Sequence, residues 1–99
     1  MTDPKDKIEV RNATSPGHIT RVDRAKYQAM HKALLAVLPG TPPGMTPAEA
    51  QKALLPQLDQ TLFPGGEKSG WWMKCVQLDL EFKGTITRAP KPPVRLHRT

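Results

Sequence analysis

The sequence is poor in features of secreted and membrane-bound proteins. Its 99 residues include one cysteine, Cys75, so no intramolecular disulfide can form and a reducing compartment is expected. The longest apolar run, Ala33 to Leu38, has six residues, whereas a membrane-spanning helix needs about 20. Residues Met1 to Lys7 carry acids and a proline where a secretory signal needs an apolar stretch. We therefore expect a cytoplasmic protein with no membrane partner.

Residue types that carry catalysis or bind metal are few and widely spaced. The three histidines and Cys75 show none of the close pairing of a structural zinc site, so no metal and no cofactor is expected. The sequence Gly65-Gly66-Glu67-Lys68-Ser69 resembles a nucleotide phosphate-binding loop, but Glu67 and Leu62 stand where that motif requires glycine. The sequence also lacks a Ser-His arrangement and paired carboxylates, and we predict that the protein is not an enzyme.

A weaker role remains for the same loop. Backbone N–H groups at the start of the following helix, beside Lys68 and Ser69, are suited to hold a phosphate of a nucleic-acid backbone. The simpler alternative is a turn that only starts the helix.

Acidic residues are missing from the C-terminal end of the chain, where none follows Glu81. The whole chain has 15 Lys and Arg against 9 Asp and Glu, a formal net charge of +6. The last part of the chain contains a run of basic residues: Lys83, Arg88, Lys91, Arg95 and Arg98. This distribution favours an anionic partner such as nucleic acid, and a solvated basic tail is the alternative.

Alternating polar and apolar residues predict a β-hairpin at the N-terminal end. Residues 7–11 and 18–22 both alternate, and the Pro16-Gly17 pair between them predicts a turn. We assign residues 7–22 to this hairpin and expect residues 1–6 to be disordered.

Three helices are predicted by apolar residues at helical spacing. Helix 1 covers 24–38, with Asp23 as its N-cap, and helix 2 covers 47–55, after a capping-box sequence from Thr46 to Glu49. Helix 3 covers 66–83 and ends at Gly84.

Helix 3 is the most apolar of the three and is predicted to be central. Its core stripe is predicted to contain Trp71, Cys75, Leu78 and Phe82, widened by Trp72, Val76 and Leu80. Its outward polar strip is predicted to contain Lys74, Gln77 and Glu81. Asp79 falls inside the apolar arc and needs a partner if it is buried.

Residues 85–88 and 94–97 alternate again, which predicts a second hairpin over 85–97. Three helices followed by a short basic hairpin form the element order of a winged helix-turn-helix. We therefore predict a single α+β domain over 7–98. Its expected fold is winged-helix-like, with three helices, a C-terminal β-wing and an added N-terminal β-hairpin.

Several stretches of the chain resemble a family of small bacterial proteins of unknown function. They are residues 62–68, Gly70-Trp71-Trp72, residues 77–81 and Arg95-Leu96-His97-Arg98. The resemblance covers most of the chain from about Lys7. It implies a winged-helix-like fold and no assigned activity.

Two functions are compatible with these observations. In the first, the protein binds double-stranded DNA and is associated with transcription: Lys74 and Gln77 read bases, and wing residues contact phosphates, namely Arg88, Lys91, Arg95 and Arg98. In the second, it is a protein-interaction or dimerisation module that binds another protein or its own copy. We favour DNA binding from the sequence, with the interaction module as the alternative. Glu81 and Glu67 on or near helix 3 count against DNA binding, because carboxylates repel phosphates.

Overall fold

A computed structural model describes residues 7–15, 17, 19–90 and 92–98 and shows an α+β arrangement. Its strands and helices, in chain order, are β1 (Lys7–Val10), β2 (Thr20–Asp23), α1 (Arg24–Val37), α2 (Pro47–Leu54), α3 (Ser69–Lys83), β3 (Ile86–Arg88) and β4 (Leu96–Arg98). Two short 3-10 turns, Leu55–Gln57 and Pro64–Gly66, connect α2 to α3. The N-terminal residues 1–6, which we predict to be disordered, lie outside the described residues, as does Lys91.

The helix ends follow from local chemistry. The hydroxyl of Thr46 accepts a hydrogen bond from the Glu49 backbone N–H, and the Glu49 carboxylate accepts one from the Thr46 N–H, so the predicted capping box is confirmed. Asp23 occupies the N-cap position of α1, as predicted, but its side chain makes no capping hydrogen bond with any described residue. Gly84 ends α3 in the left-handed conformation, at φ 78°.

Helix α3 begins three residues later than predicted, at Ser69 instead of residue 66. The backbone is left-handed at Gly65, Gly66 and Lys68, with φ values of 64°, 77° and 58°. A right-handed helix cannot pass through these residues, so the chain turns here before α3 starts.

The core lies where the three helices meet. Its fully buried side chains come from each helix, from the α2–α3 connection and from the last two strands: Met30, Leu34, Leu54, Phe63, Val76, Leu80, Ile86 and Leu96. Helix α3 is central, because it contacts α1, α2, β1 and β3. No helix in the described ranges has both the length and the apolar character needed to cross a membrane.

Each hairpin forms an antiparallel pair. Ile8 pairs with Val22 in the first, and Thr87 pairs with His97 in the second. Met45, just before α2, adds an antiparallel bridge to the second pair: its N–H donates to the Leu96 carbonyl at 2.9 Å, and its carbonyl accepts from the Leu96 N–H at 2.7 Å. Strand β4 therefore lies between β3 and Met45.

The Met45 bridge depends on a glycine at position 44, and this predicts a large effect of Gly44→Ala. Gly44 has φ +89°, and a Cβ there would lie 2.2 Å from the Leu96 carbonyl oxygen. We expect Gly44→Ala to lower the free energy of unfolding by about 1–3 kcal/mol, measured by urea denaturation.

The matched control is Gly17→Ala, because no atom of the described residues lies within 4 Å of a Cβ at the exposed Gly17. This control should change the free energy of unfolding by less than about 0.5 kcal/mol. Equal effects of the two substitutions would contradict the close approach of Gly44 to β4.

Candidate functional site

The solvent-facing side of α3 carries large apolar side chains. Trp71 is 57% exposed and Phe82 is 43% exposed, whereas Met73, Val76 and Leu80 on the opposite side are buried. Leu78 follows Trp71 by seven residues and Phe82 follows it by eleven, and both spacings return to nearly the same side of a helix. These three side chains therefore form one stripe. We call Trp71, Lys74, Leu78 and Phe82 the outer face of α3.

The predicted orientation of α3 about its own axis is wrong. We predicted that Trp71 and Phe82 lie in the core stripe, and both are exposed. The core side instead contains Ser69, Met73, Val76 and Leu80. Apolar residues surround most of α3, so their spacing alone does not select a single buried direction.

The chain that leaves β1 covers the middle of the outer face. The Ala13 N–H donates to the Leu78 carbonyl at 3.2 Å, and the Arg11 guanidinium lies 5.6 Å from the centre of the Phe82 ring. Leu78 is consequently only 8% exposed, although it points away from the core. Trp71 and Phe82 remain accessible on either side of this segment.

A buried carboxylate fastens the N-terminal hairpin to α3. Asp79 is fully buried and accepts hydrogen bonds from the Arg11 backbone N–H at 2.7 Å, from the Tyr27 hydroxyl and from Lys83 Nζ at 2.8 Å. The pKa of Tyr27 is raised, mainly by burial and further by the hydrogen bond to Asp79 and the negative charge of Asp79. The Tyr27 hydroxyl therefore stays protonated and donates to Asp79. The expected need of Asp79 for a partner is confirmed.

A pocket of about 210 Å³ lies between the hairpin and the outer face. The hairpin side of the pocket is formed by Val10, Arg11, Asn12 and Thr20. The α3 side is formed by Trp71, Lys74, Cys75 and Leu78. Burial and the nearby Asp79 charge raise the pKa of the Cys75 thiol to about 11. At neutral pH the thiol is therefore protonated and adds apolar surface to the pocket without acting as a nucleophile.

Two of the predicted nucleic-acid contacts on α3 are buried. Gln77 is 1% exposed and donates from Nε2 to Glu81 Oε2 at 3.1 Å, so its predicted outward orientation is wrong. Ser69 is also buried, with its hydroxyl 3.5 Å from Gln51 Nε2. Neither side chain can reach a nucleic acid in this conformation. Lys68 and Lys74 are exposed, and the outward orientation predicted for Lys74 is confirmed.

Two of the four predicted wing contacts, Arg88 and Arg98, are bonded to other parts of the protein. Arg88 forms a two-bond ion pair with Glu81, at 2.8 and 3.0 Å, and these hydrogen bonds raise its pKa. Arg98 Nε donates to the Leu38 carbonyl at 3.0 Å, which satisfies the end of α1.

Arg95 lies near Glu49. The pKa of Glu49 is lowered mainly by its hydrogen bonds with Thr46 and to a smaller extent by the positive charge of Arg95. Lys91 cannot be placed, because it lies outside the described residues. The seven predicted contacts that the structure describes therefore do not form one free basic surface.

Sequence reasoning missed Arg11, Asn12 and Thr20 as parts of a surface. They belong to a hairpin whose position against α3 is fixed by Asp79, far away in sequence. The sequence did contain one signal, because neighbours on a helix point about 100° apart and Trp71 and Trp72 cannot both face the core centre. The prediction that both pack in the core is wrong for Trp71.

In the part of the chain that the structure describes, no group of three or more His, Cys, Asp or Glu residues is arranged to hold a metal ion. No curated protein matches the chain. No solved structure matches it either. The sequence profile of a family of unknown function, DUF6958, matches residues 7–96, which is most of the chain. The chain therefore belongs to the family of unknown function DUF6958.

Proposed function

We propose that this α+β domain is a winged helix that acts as a protein-interaction module, with the outer face of α3 as its contact surface. The element order supports the fold: α1, the Met45 bridge, α2, α3, then β3 and β4, with β4 between its two partners. The α2–α3 connection is longer than the three or four residues of a helix-turn-helix turn, and the N-terminal hairpin is an addition.

The observation that carries the proposal is the exposure of Trp71 and Phe82 on the outer face of α3. Large aromatic side chains are enriched at protein interfaces and are frequent binding hot spots, because each removes a large apolar area from water. Two of them on one helix face, on a chain of this size, support a contact with another protein.

DNA binding is the second candidate, favoured by the net charge of +6 and by the winged-helix element order. Three features count against it. The base-reading candidate Gln77 is buried, and the wing residue Arg88 is paired with Glu81. The segment from Arg11 to Ala13 also lies against the helix side that would have to enter the major groove.

Site-specific cross-linking tests the interaction module. A photoreactive amino acid is placed at Trp71, at Phe82 or at the exposed control position Lys52 on α2, in full-length protein inside the cells that produce it. We expect covalent protein adducts from the two α3 positions and none from the control. Equal adducts from all three positions, or none from α3, would contradict the proposal.

Fluorescence anisotropy with mixed-sequence duplex DNA near about 50 mM salt tests the alternative, because phosphate contacts are strong at low salt. We expect no binding. The DNA function would be supported by affinity that falls steeply with salt and that is reduced in a variant carrying glutamine at Arg88, Lys91, Arg95 and Arg98.

A further inference from the structure

The pocket beside Trp71 combines apolar walls with two cations, Arg11 and Lys74, that form no ion pair with a described residue. We propose that it recognises an acidic segment of a partner protein, taking one apolar side chain into the pocket while flanking carboxylates bind Arg11 and Lys74. This inference rests on the proposed interaction function and adds the chemistry of the partner.

The size and lining of the pocket fit a single side chain. Its volume of about 210 Å³ is below the roughly 300–1,000 Å³ of sites that enclose drug-sized ligands. Val10 and Leu78 supply aliphatic surface, the protonated Cys75 adds a polarisable thiol, and Trp71 supplies an exposed aromatic ring. An aliphatic side chain of leucine size is well suited to these walls.

The charge of the pocket is of one sign. Arg11 and Lys74 contribute to its lining, and no carboxylate among the described residues does. Within the described ranges neither cation forms an ion pair, in contrast with Arg21, Lys83 and Arg88. Carboxylates next to the bound apolar side chain would satisfy both cations.

The same cations argue against a second copy of this chain as the occupant. A symmetric dimer through this face would bring Arg11 and Lys74 close to their own copies, and like charges across an interface are unfavourable. Single-stranded nucleic acid is also disfavoured, because it needs successive aromatic platforms. Here Trp71 is open, but Arg11 already covers one face of Phe82.

The pocket is formed before any partner binds. The Arg11 backbone is held by Asp79, and the Ala13 N–H is held by the Leu78 carbonyl, so the hairpin wall is fixed against α3. Preformed sites lose less conformational entropy on binding. Because Asp79 holds the Arg11 main chain, the Arg11 side chain can be changed while this hydrogen bond is kept.

The test is an NMR titration of the full chain with three acetylated, amidated peptides of sequence Gly-Ser-X-Ser-Gly. X is Asp-Leu-Asp, Asn-Leu-Asn or Asp-Ser-Asp. We expect the first to shift the Trp71 indole N–H and the amides of Arg11 and Lys74, with at least about fivefold tighter binding than either of the others. Arg11→Gln and Lys74→Gln should each reduce the preference for Asp over Asn. Lys52→Gln, a surface change on α2, should leave it unchanged.

Four results would overturn the inference: equal binding of the Asp and Asn peptides, no shifts at the pocket, tighter binding of a thymidine oligonucleotide, or binding of free N-acetylleucine as tight as that of the peptide. Cross-linking at Trp71 distinguishes the two proposals. Adducts at Trp71 without a preference for carboxylates would overturn only the acidic-segment inference, whereas the absence of both would overturn the interaction function as well.

Discussion

Asp79→Ala is expected to lower the free energy of unfolding by about 3–5 kcal/mol, because it removes one side of a buried charged network. The Tyr27 hydroxyl and the Arg11 N–H both lose their acceptor, and the Lys83 ammonium loses its counter-charge. Each buried donor left without a partner costs about 1–3 kcal/mol. Urea denaturation followed by circular dichroism measures the change.

Two further variants keep this prediction testable if Asp79→Ala does not fold. Asp79→Asn keeps an oxygen acceptor but removes the charge, so a smaller loss is expected. Lys83→Gln should cost less than Asp79→Ala, because the Tyr27 hydroxyl and the Arg11 N–H still donate to the buried Asp79 carboxylate. Hydrogen exchange gives a local readout, since the Arg11 and Ala13 amides should lose protection in Asp79→Asn before the α2 amides do. Parent-like stability of Asp79→Ala would contradict the role of Asp79 in fastening the hairpin.

Local structure was largely predictable because it depends on neighbours in sequence. Thr46 and Glu49 are three residues apart and form the capping box with each other. Alternation around Ile8 and Val22 indicated the first hairpin, and the pairing of these two residues is observed. Left-handed residues bound α3 at both ends. The C-terminal end was predictable because glycine at position 84 favours this conformation, whereas nothing in the sequence marks Lys68 as left-handed.

The side of α3 that is buried was not predictable, because contacts between residues distant in sequence determine it. Asp79 is buried where it accepts a hydrogen bond from the Tyr27 hydroxyl, 52 residues earlier in the chain. With Asp79 buried, Gln77 also turns inward and Trp71 turns outward. Apolar residues surround most of this helix, so their periodicity does not identify its buried side, which packing against α1 and the hairpin selects.

The ion pairs and hydrogen bonds of the wing residues were also not predictable from the sequence. A count of basic residues does not reveal which of them already have partners. The short turn at Gly84 brings β3 back towards α3, which allows Arg88 to bind Glu81 seven residues earlier. Arg98 is engaged by the Leu38 carbonyl, 60 residues away. The apparent basic surface is therefore smaller than the sequence indicates.

The adjacent tryptophans provide the second large prediction, because they occupy opposite environments. Trp72 is 7% exposed and packs edge-on against Phe63, with 6.2 Å between ring centres. Trp72→Ala removes a large group from the core and leaves a cavity, so we expect the free energy of unfolding to fall by about 3–5 kcal/mol. Urea denaturation or thermal melting of the purified variant measures this loss.

Trp71→Ala is the matched control, since it removes the same side chain one residue earlier on the same helix. The Trp71 ring lies edge-to-face against Trp72, with 5.1 Å between ring centres, but it is mostly exposed to solvent, so its loss should lower the free energy of unfolding by at most about 1 kcal/mol.

Peptide binding should depend more on Trp71 than on the core residues. Trp71→Ala should abolish the peptide-induced shifts at Arg11 and Lys74, because the aromatic wall of the pocket is gone. Phe63→Leu, a milder core change, should keep these shifts in its folded fraction. Equal losses of stability in Trp71→Ala and Trp72→Ala would show that α3 is rotated about its axis from the orientation described, and that the outer face is not a contact surface.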